Sequence, residues 1–220
     1  MIITGLDLSI NGSGCIKFNL DNNLDIVDCD YLAFTQIKKF SCDKIFYFKK
    51  KDYRNKFDQN IDFCNRIMNF CKDSDYCAVE GYAYSSSAGL VFDIAEFSGK
   101  IKHSLYESGK NLRIYDISSI KMFGTDRGNS QKQDMVDNFL KLKFKEFDWS
   151  FLNKYDSPHT DLVDAFWIAK LLQLELKLRK GLVSLKSLTE KQIQIFNRVT
   201  KAHPANILAT DFYSKLVEEK

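Results

Sequence analysis

Proline is almost missing from this chain. Only Pro158 and Pro204 occur in 220 residues, so no proline-rich linker divides it. The one hint of a boundary is the stretch near 181–186, where Gly181 is followed by a polar restart at Ser184. Six cysteines are present but no C-x-x-C pair, which removes the usual zinc and redox spacings. No segment approaches the ~20 apolar residues of a membrane helix. The opening Met1-Ile2-Ile3-Thr4-Gly5-Leu6-Asp7 has no basic lead-in and meets an acid at once. It reads as a strand rather than a secretion signal, and a reduced, cytoplasmic setting is expected. Internal repeats and low-complexity tracts are absent, which excludes a solenoid. Charge of one sign is also scarce: the net is +3, so composition announces no nucleic-acid partner.

What is present is the profile of a folded domain. Hydrophobic residues make up 45% and charged residues 28%, unlike a disordered or collagen-like chain. The length suits one domain with a small appendage. The basic residues are unevenly placed. Residues 38–56 hold eight basic and two acidic side chains, a net of +6, interleaved with Phe40, Phe46, Tyr47, Phe48 and Tyr53. Residues 171–220 hold nine basic and five acidic side chains, a net of +4. Lysines such as Lys49, Lys50 and Lys51 can track phosphates while rings meet bases. A solvated basic hairpin with its rings in the core explains the same pattern.

Periodicity predicts three antiparallel strands at the start, turning at residues 11–14 and 21–23 and ending near residue 35. Helical spacing follows at Phe57, Ile61, Cys64, Met68 and Cys71. Residues 76–80 read as a buried strand ending in Glu80, and 88–108 as a helix apolar on more than one face. Residues 112–117 form a fifth strand. Ser118 or Ser119 is expected to cap a short helix carrying Lys121. A basic loop with Gly124, Arg127 and Gly128 leads to a helix at about 131–142. Thr160 is expected to cap a long helix ending before Gly181. Two further helices are expected in 185–220. The order predicts an α/β fold with a mixed five-stranded sheet flanked by helices and a helical C-terminal extension, with domain bounds 1–180 and 181–220.

Four acids stand at informative positions. Asp7 and Glu80 end strands, and Asp161 and Asp164 lie at i and i+3 in a helical first turn, so they share a face. Singly, each has an ordinary reading: strand-end acids make turns, and acids suit helix N-termini. Gathered together they would repel one another, and one or two divalent cations relieve that repulsion. All-oxygen ligation suits Mg²⁺ or Mn²⁺.

These segments resemble the RuvC-type Holliday junction resolvases of the ribonuclease H-like superfamily. The matching residues are Gly5-Leu6-Asp7-Leu8-Ser9 with Gly12 and Gly14, Val79-Glu80, Ile120-Lys121 through Gly128, Ser130 and Lys132, and Asp161-Leu162-Val163-Asp164-Ala165. The resemblance spans about residues 1–178. It implies a homodimer that nicks opposed strands of a four-way DNA junction with Mg²⁺. By position it makes Asp7, Glu80, Asp161 and Asp164 the metal-binding catalytic acids, and Lys121 and Lys132 the basic residues at the scissile phosphate. It makes the helix at 88–108 the dimer helix. Tyr82 and Tyr84 fall near the family's junction-wedging aromatic without aligning cleanly to it. His159, two residues before Asp161, is a possible aid to the metal site or an ordinary loop residue. The basic stretch and the tail depart from the pattern, and both are candidates to extend the DNA footprint together with Arg127. A phage or viral source is one reading of that divergence; a bacterial or organellar source stays open.

Three rival readings have their own tests. A related nuclease would cut flaps, other branched DNA or RNA–DNA hybrids. A non-catalytic junction binder would keep the fold without the chemistry, against which the four retained acids argue. A phosphate loop of a sugar kinase or actin-like ATPase, read from residues 7–12, needs two such domains, for which 220 residues are too few.

Overall fold

The structure, a computed structural model, describes residues 1–82, 88–144 and 156–202. Six strands form one mixed sheet: β1 (Ile2–Asp7), β2 (Gly14–Leu20), β3 (Ile26–Thr35), β4 (Ile45–Tyr47), β5 (Tyr76–Glu80) and β6 (Asn111–Tyr115), in the spatial order β4-β3-β2-β1-β5-β6. The first three are an antiparallel meander, while β5 joins β1, and β6 joins β5, in parallel.

The expected five strands are therefore six. The added strand comes from the basic stretch, which is not a hairpin. After β3 the chain passes through a 3₁₀ turn at Lys38–Phe40 and a tight reversal at the Cys42–Ile45 bridge. It then runs parallel to β3, with Ala33 opposite Ile45 and Thr35 opposite Tyr47. Burial of Ile45 and Phe48 draws it in. The rings of this stretch serve packing. Phe46 meets Phe34 and lies under the Arg66 guanidinium, Phe48 meets Phe63, and Tyr53 donates to Asp62 at 2.8 Å. Its lysines, including Lys49, Lys50 and Lys51, stay exposed.

Helices cover both faces of the sheet. On one lie α1 (Lys56–Phe70) and α2 (Ala88–Glu107), packing Phe63, Ile67, Phe97, Ile101 and Leu105 against Leu6, Cys77 and Val79. On the other lie α3 (Ile117–Thr125), α4 (Lys132–Lys141), α5 (His159–Arg179) and α6 (Glu190–Ala202). Ile195, Phe196 and Val199 of α6 are buried in that core, so this part of the tail is a packing element. All six cysteines are free thiols, and five of them are buried.

Two helix starts differ from expectation. Asp116, not Ser118 or Ser119, caps α3. Its carboxylate accepts from the Ser119 amide at 2.9 Å and from both serine hydroxyls at 2.6 Å. Helix α5 begins at His159, directly after Pro158, so Thr160 lies inside the first turn rather than capping it. No described helix is long and apolar enough to cross a membrane.

Candidate active site

Strand periodicity places the first two acids. Along β1, Ile3 packs on the α5 side and Leu6 on the α1–α2 side, so Asp7, sharing the parity of Ile3, faces α5. Along β5, Ala78 packs on the α5 side and Val79 opposite, so Glu80 faces α5 as well. Leu6 pairs with Val79 in the parallel register, which sets Asp7 and Glu80 side by side at the carboxyl ends of neighbouring strands. Carboxyl ends of parallel strands are where open α/β sheets hold their ligands.

Helix α5 brings the other two acids, and glycine lets it come close. A Cβ on Gly5 would stand 2.3 Å from the Ala165 carbonyl oxygen, and one on Gly14 only 2.2 Å from that of Asp161. Any side chain at either position would push α5 off the sheet. Gly14 pairs with Asp7 across the hairpin, so the missing side chain lies where the N-terminus of α5 meets β1. Ser157 donates to Asp161 Oδ2 at 2.7 Å and orients it.

Basic side chains come from the opposite wall. Lys132, the first residue of α4, places Nζ 3.3 Å from Asp161 Oδ1 and 3.7 Å from Asp164 Oδ2. Trp167 Nε1–H donates to the Met135 carbonyl at 3.2 Å and Asn138 to the Gly124 carbonyl at 2.9 Å, which ties α4 to α5 and α3. Lys121 of α3, half-buried, completes a cleft of about 260 Å³ lined by Asp7, Ser9, Glu80, Tyr82, Ser98, Lys121, Lys132 and Asp164.

The electrostatics of this cleft are unbalanced. Burial first, then the charges of Asp164, Glu80 and Asp161, hold the Asp7 carboxyl well above its usual range. Burial and Asp164 push Glu80 up to about 7, against the pull of Lys132, Lys121 and Lys102. Burial lifts Asp164 to about 6, with Asp161 adding and Lys132 opposing. Burial works against the charge on Lys132, yet Asp7, Asp161 and Asp164 outweigh it and keep that ammonium firmly protonated.

The donor set fits a hard divalent cation. Its members are carboxylate oxygens, its charges repel, and the lysine ammoniums around them only partly offset that repulsion. As the side chains stand, no three His, Cys, Asp or Glu among the described residues form a ready-made metal-holding group. Lys132 occupies the space between Asp161 and Asp164 instead.

The other anticipated residues separate. Tyr82 is on the cleft wall, 43% exposed. Tyr84 lies outside the described residues. Arg127 pairs with Asp134 at 3.4 Å and does not line the cleft, nor do Lys49, Lys50 and Lys51. His159 is buried, with Nδ1 3.1 Å from the Asp156 carbonyl and its ring edge-on to Phe40. Burial lowers it to about 4, so it is a neutral ring, and it too is absent from the cleft lining. Lys102 of α2 was not anticipated. Its Nζ stands 3.9 Å from the centre of the Tyr82 ring, and its charge reaches Glu80. The signal in the sequence was a lysine eight residues after Ile94, on the helix face that Ile94 and Ser98 share.

No protein-family model matches the sequence, and no curated protein matches it. Solved structures do. Thermus thermophilus RuvC superposes with a TM-score of 0.52 at 13% identity, over 82% of this chain and 96% of that one. T. thermophilus RuvC in complex with Holliday junction substrate gives 0.52 at 14% identity, over 83% and 97%. The fowlpox virus resolvase with its substrate Holliday junction DNA gives 0.49 at 18% identity, over 80% and 99%. The chain therefore has the ribonuclease H-like fold of the RuvC structures.

Proposed function

We propose that this chain is a metal-dependent endonuclease that resolves four-way DNA junctions, nicking opposed strands as a homodimer. The observation that carries the reading is the joining of three carboxylates and two lysines around one cleft, with Asp161 behind them paired to Lys132, on the fold of RuvC. The Holliday junction complex of that similar protein supplies the substrate class.

Asp7, Glu80, Asp161 and Asp164 would hold two Mg²⁺ ions, for which Mn²⁺ substitutes. Such ions supply a Lewis acid to the attacking water and to the leaving oxygen. Water attacks phosphorus in line, the P–O3′ bond breaks, the 3′ oxygen takes a proton, and a 5′-phosphate remains. Lys132, whose side chain is 60% exposed, and Lys121 donate to the non-bridging oxygens as charge builds there. Ser157 keeps Asp161 aimed, and the close seat of α5 on Gly5 and Gly14 holds the two halves of the acid set in register.

Two opposed nicks need two such clefts. Phe92 and Tyr106 of α2 are 74% and 65% exposed. With Ala95, Gly99 and His103 between them they form an outward stripe at helical spacing, which suits a second copy of this chain. Exposed Lys49, Lys50, Lys51 and Arg127 extend the contact to DNA phosphates. Residues 1–180 form the nuclease unit of this proposal, and α6 of the segment after it packs on that unit's core. The enzyme would work where its DNA substrate lies.

The test is a substrate panel: a mobile four-way junction, a flap, an RNA–DNA hybrid and a plain duplex, each with Mg²⁺, alongside gel filtration. The reading expects paired nicks in the junction from a dimer. A monomer that prefers the flap or the hybrid overturns it in favour of the related nuclease.

A further inference from the structure

The α2 wall of the cleft carries polar groups that the catalytic reading leaves without work. Ile94, Ser98 and Lys102 follow at intervals of four residues and share one helix face. Ile94 and Ser98 line the cleft. Ser98 is 4% exposed, and its hydroxyl makes no hydrogen bond among the described residues. Lys102 is 8% exposed, and its Nζ has no hydrogen-bond partner among them either. Among the described residues the ammonium meets the face of the Tyr82 ring, 3.9 Å from its centre. Tyr82 in turn lies across α2, where a Cβ on Gly99 would stand 3.7 Å from its hydroxyl oxygen.

A buried ammonium facing a ring keeps only part of what it loses on leaving water. Buried charges in folded proteins are normally paired, and an orphan beside a cleft marks a place for an anion. Among the described residues Glu80 is the carboxylate whose charge acts on Lys102, and no hydrogen bond joins the two. Burial lowers Lys102 to about 8, which leaves it mostly charged at neutral pH. Ser98 and Lys102 both offer donors, and the ring above them is 43% exposed and so free to turn outward.

We infer that Ser98 and Lys102 form a phosphate subsite on the α2 wall, covered by the Tyr82 ring, that takes a backbone phosphate of the bound DNA junction. This rests on the nuclease reading above. It adds a contact from a helix that otherwise supplies the sheet cover and the proposed dimer face.

The test is equilibrium binding of a four-way DNA junction to the full chain in EDTA, over a series of salt concentrations. Lys102→Met keeps the packing and removes the charge. It should weaken binding about tenfold at low salt and reduce the slope of log K against log salt by about 1. Lys102→Arg should keep the wild-type slope. Ser98→Ala should weaken binding about threefold with the slope unchanged. A wild-type slope in a folded Lys102→Met protein overturns the subsite. If Lys102→Met does not fold, wild-type affinity in Ser98→Ala overturns it. A wild-type protein that binds neither junction nor duplex ends both this inference and the nuclease reading, whereas tight wild-type binding with an unchanged Lys102→Met slope ends this inference alone.

Discussion

The two ends of helix α5 hold carboxylates in opposite conditions. Near its C-terminus Glu175 is fully buried and fully served. Its Oε2 accepts from Arg113 Nε at 2.9 Å and from the Tyr115 hydroxyl at 2.6 Å, and its Oε1 from Arg179 at 3.3 Å. Near its N-terminus Asp161 and Asp164 meet Asp7 and Glu80, and Lys132 is the cation in ion-pair contact with them. Both clusters sit on the same sheet face. One joins β6 to α5; the other stores repulsion. Burial therefore does not separate structural from functional acids in this fold. On the proposed reading the balance of donors does, because a site kept short of positive charge would favour a cation.

That contrast can be broken at either end. The largest effect is expected from Asp7→Asn, which should lower junction cleavage by on the order of a thousandfold. In metal-free buffer the same change should raise the melting temperature, because it removes a repelled carboxylate. Glu175→Ala should do the reverse: it strands the Arg113 guanidinium and costs about 3–5 kcal/mol in denaturant unfolding. The molecules that remain folded should cleave at the wild-type rate. Gly5→Ala, which forces α5 away from β1, should cost about 1–3 kcal/mol and slow cleavage through the displaced acids.

The smallest effect is one of pH. Asp7, Glu80 and Asp164 titrate higher in the fold than in the unfolded chain, with Glu80 at about 7 and Asp164 at about 6. The folded state thus holds these protons more tightly, and their contribution to stability is full below the unfolded carboxylate range of about 4. It is lost as pH rises through about 7. Thermal melts of metal-free protein should fall across that window and recover on adding Mg²⁺ at its upper end. Asp7→Asn should flatten the trend.

Much of the site was readable from short-range pattern. Alternation along two strands, the i and i+3 spacing of Asp161 and Asp164, and the order of the segments all need only local geometry. What escaped depends on distant partners. Arg113 and Glu175 are 62 residues apart, and nothing in either segment announces the other. Lys102 and Tyr82 belong to different segments, and only the fold brings ammonium and ring together. Strand β4 has three residues in a basic stretch, too few for alternation to show. Gly14 reads as a turn former in sequence, yet it lies in β2 as the floor beneath α5. The aromatic residues among the lysines at 38–56 suggested a stacking surface, and burial of Phe48 and the ring contacts of Phe46 and Tyr53 make them core.

The proposed nuclease depends on the unbalanced end of α5 working as a metal-dependent catalytic centre. A single-turnover time course on an end-labelled four-way junction, in Mg²⁺ and again in EDTA, tests it most directly. The account predicts symmetrical nicks in Mg²⁺ and none in EDTA. Equal cleavage in both, or none in either, would contradict it.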